Sequence, residues 1–248
     1  MRMIRMMRKI LIPTDFSENA LNAIKYALEL FKYERSEFII MHAFSDEVYE
    51  HTIEMPRTLF ELYKEKVWEQ SDKKLQKLVT EMLSISPNPK HKYHVISSNS
   101  LLLDEADKIV DDENIDIVVM GTRGKTNDKN LTFGSHTLQV LKYVQCPVLA
   151  IPENYEYTQP RHILFPTNYM IPFKRRELKL LCEMASPYRA VIDMLYISKT
   201  EKLSMRQEDN RDFVKETLCK NTINFKVAKS KDILDTIYKY IKENNPSK

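Results

Sequence analysis

Apolar residues in the first 152 positions follow two alternating rhythms, short continuous runs and longer stretches at helical spacing. Lys9 to Asp15 carries the run Ile10, Leu11, Ile12 and closes on Pro13, Thr14 and Asp15, which predicts a buried strand followed by a polar turn. Ser17 stands where a helix N-cap belongs, ahead of Leu21, Ile24, Leu28 and Phe31 in helical phase. Glu37 to Ala43 predicts a second strand. Residues 57–84, with Leu59, Leu62, Val67, Leu75, Leu78, Val79 and Met82, predict a long helix that Pro87 and Pro89 bring to an end. Lys92 to Ile96, a helix over 100–113, Asp116 to Met120, a helix over 135–144 and Cys146 to Ile151 complete the series.

Five strands alternating with four helices predict an α/β fold, a doubly wound parallel five-stranded sheet with helices on both faces, of Rossmann-like type. The Asp116 to Met120 run is apolar enough to be covered on both sides. Such a sheet takes its ligand at the carboxyl ends of the strands, where the strand order reverses. The loops after Ile12 and after Met120 are therefore the places where chemistry is expected.

After the linker Pro152 to Pro160 the pattern restarts. Arg161 to Asn168 repeats Arg8 to Asp15 at a constant offset of 153 residues, the mark of an internal repeat. A helix over 174–185, a strand over 190–197, a helix over 205–220, a strand from Asn224 to Ala228 and a helix over 231–243 follow, running into Asn244 to Lys248. This second copy stops where its fourth strand would begin, and it holds no glycine. The expected domains are 1–153 and an incomplete copy at 161–248.

Composition narrows the function. With 43% hydrophobic and 29% charged residues the chain reads as globular, and no apolar run approaches the roughly 20 residues of a membrane span. The basic start Met1 to Arg8 lacks a signal-like apolar stretch, so the cytoplasm is the expected location, with no membrane partner. A net charge of +3, from 38 basic against 35 acidic residues interspersed along helices, argues against a nucleic-acid binder. Cys146, Cys182 and Cys219 are far apart and no histidine stands at ligand spacing, so reduced core thiols are expected rather than a disulfide framework or a metal site.

Glycine is the informative residue: there are three in 248 positions, all between 121 and 134. Clustering them implies a backbone that approaches something closely or adopts positive φ. Gly121-Thr122-Arg123-Gly124, nine residues, then Gly134-Ser135 has the form G-x2-G-x9-G-[ST], after a predicted strand and at the start of a predicted helix. That context suits phosphate: the glycines let main-chain N–H groups close in, and the helix start offers free N–H groups and the positive end of its dipole. It is neither a Walker A loop nor the dinucleotide fingerprint. Asp15 reads either as a turn cap or as a ligand contact, and Arg123 as a phosphate partner or a solvated charge. His136 reads as a helix-start residue whose N–H counts rather than as a catalytic base. Lys125 and Lys129 belong to a solvated loop, His42 and Trp68 to packing.

With the Pro13-Thr14-Asp15-Phe16-Ser17 turn and the half-length repeat, the motif resembles the universal stress protein family, in its tandem-domain form. The resemblance covers about residues 8–152 as a complete domain and 161–248 as a degenerate one, and it implies the adenine nucleotide alpha hydrolase-like version of the fold. In the ATP-binding branch of that family the glycine motif holds ribose and phosphates, and residues after the first strand hold adenine. Carried over, Pro13, Thr14 and Asp15 form the turn at the nucleotide and Ala43 lines the base pocket. Met120 and Gly121 lie under the ribose, Arg123 and Gly124 near the phosphates, and Gly134, Ser135, His136 and Thr137 bind them through the helix start. The implied ligand is ATP, with AMP or ADP as relatives and Mg2+ or Mn2+ bridging through the phosphates. No catalytic residue is assigned, and any ATPase activity is slow; the nucleotide is a regulatory ligand. A nucleotide-independent interaction scaffold is the alternative. In the second copy Asn168 replaces Asp15 and the glycine loop is missing, so no nucleotide is expected there. The family pairs domains across their fifth strands; the second copy has none, which leaves the edge at Val148 to Ile151 for pairing between molecules in a homodimer, beside an unidentified protein partner.

Overall fold

The computed structural model describes residues 7–52, 56–124, 133–200, 202–218 and 221–244. Lys125, Lys129, Cys219 and the tail from Asn245 onward lie outside the described residues. The chain divides into two units, Met1–Tyr157 and Thr158–Lys248. The first runs β1 (Arg8–Pro13), α1 (Glu18–Leu30), β2 (Ser36–Ala43), α2 (Ser45–Thr52), α3 (Arg57–Ile85), β3 (His91–Ser98), α4 (Leu102–Glu113), β4 (Ile117–Gly121), α5 (Ser135–Tyr143) and β5 (Val148–Ile151). The second runs β6 (His162–Thr167), α6 (Arg175–Ala185), β7 (Val191–Ser198), α7 (Met205–Thr217), β8 (Thr222–Lys229) and α8 (Ile233–Asn244), with a short 3-10 turn at Ser186–Tyr188.

The first unit is a five-stranded parallel sheet ordered β3-β2-β1-β4-β5. From β1 the chain winds outward through β2 to β3, then α4 carries it back to β4, on the other side of β1. The reversal therefore falls between the ends of β1 and β4, at Pro13 and Gly121. Ile10, Leu11 and Ile12 are fully buried because β1 is covered on both faces. One face joins Leu11, Ile39, Met41, Val118 and Met120 to Ile109 and Val110 of α4 and Val140 of α5. Each such side chain contributes roughly 1.5–3 kcal/mol by leaving water. Helix α1 starts as expected, with the Ser17 hydroxyl accepting from Ala20 N–H at 3.2 Å.

Three features differ from the sequence expectation. Helix α2 was not foreseen, since Val48 is its one buried apolar residue and eight residues are too few to show a period. In α3 the buried positions begin at Val67, while Leu59, Leu62 and Trp68 are half-exposed or more, so Trp68 is not the packing residue expected. The cause is length: 29 residues of helix run about 43 Å, whereas an eight-residue strand such as β3 runs about 26 Å. The overhang rests on α2 instead, through Phe60, Tyr63 and Val67 against Phe44 and Val48. The thiols also differ. Cys146 and Cys182 are free but only half-buried, Cys146 Sγ donating to the Ile115 carbonyl at 3.5 Å.

The second unit is a three-stranded parallel sheet ordered β6-β7-β8, around Tyr169, Leu178, Ile192, Met194 and Val214. The repeat extends to atomic detail in the turn after the first strand of each copy. Thr14 Oγ1 accepts from Phe16 N–H and Thr167 Oγ1 from Tyr169 N–H, both at 3.1 Å. Asp15 Oδ1 accepts from Ser17 N–H at 3.0 Å and Asn168 Oδ1 from Met170 N–H at 2.9 Å. Phe16 and Tyr169 share the left-handed conformation, with φ of 62° and 54°. Among the described residues no helix is long and apolar enough to cross a membrane.

Candidate functional site

The turn after β1 is built from its own polar groups. Pro13 ends the strand, Thr14 N–H donates to the Met41 carbonyl at 2.8 Å, and the Thr14 carbonyl accepts from buried His42 Nδ1 at 2.7 Å. Asp15 spends Oδ1 on the turn, as Asn168 does in the second copy, so that hydrogen bond is a property of the turn and not of a ligand. Its other oxygen distinguishes it. Oδ2 lies 2.7 Å from where a Cβ on Gly124 would stand, so the β1 turn and the β4 loop touch at this carboxylate.

The β4 loop is strapped from below. A Cβ on Gly121 would stand 2.6 Å from Asn19 Nδ2 and 3.2 Å from the Asn19 carbonyl oxygen. Asn19 is 8% exposed and donates through Nδ2 to the Arg123 carbonyl at 2.9 Å. Thr122 N–H donates to the Ile151 carbonyl, and Gly134 N–H returns to the Thr122 carbonyl at 2.8 Å, so the nine-residue excursion leaves and rejoins at one place. No glycine has positive φ; of the two demands left open by the sequence, close approach is the one present.

Gly134 is the N-cap of α5, with φ −67° and ψ 158° and no side chain to cap the helix. Its own N–H is spent on Thr122, which corrects the expectation that it is free. The N–H groups of Ser135, His136 and Thr137 have no partner among the described residues. Ser135 and His136 are exposed, and His136 Nε2 sits 3.6 Å from Asp46 Oδ2 on α2. The Thr137 hydroxyl is buried and donates to the Gly121 carbonyl at 3.0 Å, leaving its N–H as its one contribution. Ala43 and Met120 meet in one apolar cluster at the strand ends.

Arg123 behaves differently from the rest. Its guanidinium Nη1 donates to Glu153 Oε2 at 3.2 Å, at the start of the linker. That linker lies along α1: Asn22 Nδ2 donates to the Tyr155 carbonyl at 3.0 Å, and the Tyr26 ring packs against Tyr155 and Tyr157 at 6.1 and 5.3 Å. Burial, with Tyr155 and Tyr157 adding to it, pushes the Tyr26 phenol up to about 12. Among the described residues no group of three or more His, Cys, Asp or Glu could hold a metal ion.

Sequence reasoning missed Asn19, Asp46 and Glu153. Asn19 sits in an ordinary helix start and meets the loop only through the packing of α1 on β4. Glu153 was in principle readable, because parallel pairing of Gly121 with Ile151 carried two residues further sets Arg123 opposite it. In the second unit the corresponding turn is closed from α7: Gln207 Nε2 donates to the Asn168 carbonyl and Asn210 Nδ2 to the Tyr169 carbonyl, each at 2.7 Å.

A profile of the universal stress protein family matches residues 6–152. Universal stress protein MJ0577 of Methanocaldococcus jannaschii is 29% identical over 163 residues, 59% of this chain and 95% of that protein. MJ0531 of the same organism is 28% identical over 148 residues, 58% of this chain and 81% of its own. The solved structure of MJ0577 matches with a TM-score of 0.50 at 30% identity, over 60% of this chain and 99% of that one. A universal stress protein of Archaeoglobus fulgidus matches with a TM-score of 0.65 over 96% of this chain and 84% of its own, at 16% identity, a likeness of fold.

Proposed function

The chain belongs to the universal stress protein family, and from that premise we propose that its first unit binds ATP as a regulatory ligand in a cytoplasmic stress response. The observation that carries this reading is the run of unpartnered N–H groups at Ser135, His136 and Thr137, at the positive end of α5 and beside the contact of Asp15 with Gly124. A triphosphate would take those donors, with Gly124 and Gly134 leaving room for it. The ribose would lie over Met120 and Gly121, and the base against Ala43 and the turn of Pro13, Thr14 and Asp15. A Mg2+ or Mn2+ ion would ride on phosphate oxygens, the ligand chemistry such ions favour.

Hydrolysis, where it occurs, is slow in this reading. One oxygen of Asp15 is committed to the turn and His136 is an exposed residue at the helix start, so no residue is assigned as a base for water. The second unit takes no nucleotide in this reading, because its turn carbonyls already accept from Gln207 and Asn210.

Calorimetric titration of the full chain with ATP and Mg2+, repeated with AMP, tests the proposal. One site per chain is expected, lost in Gly134→Val, whose branched side chain would crowd the start of α5. Absence of heat, with no rise in melting temperature, would leave the interaction scaffold as the function.

A further inference from the structure

Arg123 reaches Glu153 because β4 and β5 run on together past their last paired residues, Gly121 and Ile151. Glu153 is carried on a tight turn in which Tyr155 N–H donates to the Pro152 carbonyl at 3.2 Å and Asn154 takes φ 58°, a conformation asparagine tolerates. Beyond that turn the linker is held to α1 by the Asn22 hydrogen bond, by the Tyr26 ring and by Lys32 Nζ, 5.7 Å from the centre of the Tyr157 ring. One ion pair thus ties the glycine loop to the segment that leads out of the first unit.

We propose that Glu153 is a latch, whose carboxylate competes with the phosphates of a bound nucleotide for Arg123, so that nucleotide binding loosens the Glu153 to Tyr157 segment from α1. The inference rests on the nucleotide reading above. The Arg123 and Glu153 side chains are 19% and 36% exposed, and a pair open to water is held weakly. A phosphate chain at the loop offers the guanidinium more charge and a two-pronged partner, where Glu153 is met through the Nη1 bond. By linkage, whatever factor Glu153 takes from nucleotide affinity, the nucleotide takes from the hold on the linker.

Titration of the full chain with ATP and Mg2+ tests the latch by a double-mutant cycle. Glu153→Ala binds about two- to fivefold more tightly than wild type, the range of an exposed ion pair, and Glu153→Gln, which keeps the side chain's length, repeats the gain. Arg123→Gln binds more weakly, and adding Glu153→Ala to it restores nothing. Hydrogen exchange at residues 153–157 rises when ATP is added to wild type and stays level in Arg123→Gln. Unchanged or weaker binding by both Glu153 variants, the same gain in the Arg123→Gln background, or no rise in exchange overturns the latch. No heat with wild type overturns the nucleotide reading and the latch with it; binding by wild type with no gain in the Glu153 variants overturns the latch alone.

Discussion

One added methyl group separates the three glycines of the loop by what each would meet. At Gly121 it would stand 2.6 Å from Asn19 Nδ2 and 3.2 Å from the Asn19 carbonyl, so α1 itself must move. Gly121→Ala therefore costs about 1–3 kcal/mol, seen as a lower melting temperature without ligand. At Gly124 it meets the end of the Asp15 side chain, which can turn aside. At Gly134 the nearest atoms are 3.6 Å away or more, an ordinary distance, and φ is one that any residue adopts. Gly134→Ser should then raise stability by a few tenths of a kcal/mol, since serine caps a helix slightly better than glycine, while weakening ATP binding, because the new hydroxyl takes an N–H the phosphates need. A thermal melt and a titration on the same variant check both signs. All three positions were visible in the sequence as a spacing; the neighbour that requires glycine at 121, Asn19, comes from elsewhere in the chain.

At the scale of elements, hydrophobic rhythm located every strand and every helix except α2. It placed the ends within a few residues, because strand and helix periods report which face is buried. It could not tell how far a partner surface extends. Helix α3 keeps its rhythm beyond the sheet that covers it, so Leu59 and Leu62 look like core and are exposed. Helix α8 is the reverse case, an amphipathic helix with no buried residue. A polar contact ties it to the sheet: the Tyr240 hydroxyl donates to Asp193 Oδ2 at 3.1 Å, while Oδ1 accepts from Asn224 Nδ2 of the neighbouring strand β8 at 2.8 Å. Asp193 is 5% exposed, so its charge needs those donors. Tyr240→Phe is expected to cost about 1–3 kcal/mol by leaving one carboxylate oxygen short of a donor, and to speed hydrogen exchange along α8 before the rest of the second unit.

Each of the two units has a hydrophobic core of its own among the described residues, and the nucleotide site proposed above belongs to the first. A single cooperative transition is not required of such a chain. Scanning calorimetry should resolve two transitions, of which ATP with Mg2+ raises one, by about 2.7 kcal/mol of added stability at a hundredfold excess over Kd. A shift of both would mean that the second unit senses the ligand or binds its own.

Sequence alone was enough for the α/β class, the order of every described element but α2, the repeat and the family, because burial periodicity and a glycine spacing are local and survive without coordinates. Tertiary structure decided the rest of the site. It set Asp15 against Gly124, ran Asn19 under the loop, turned the Gly134 N–H inward onto Thr122 and gave Arg123 to Glu153. Most of these join residues of different loops or of a helix and a loop, which meet because parallel strands bring them to one edge, and composition and spacing carry little record of which groups meet there.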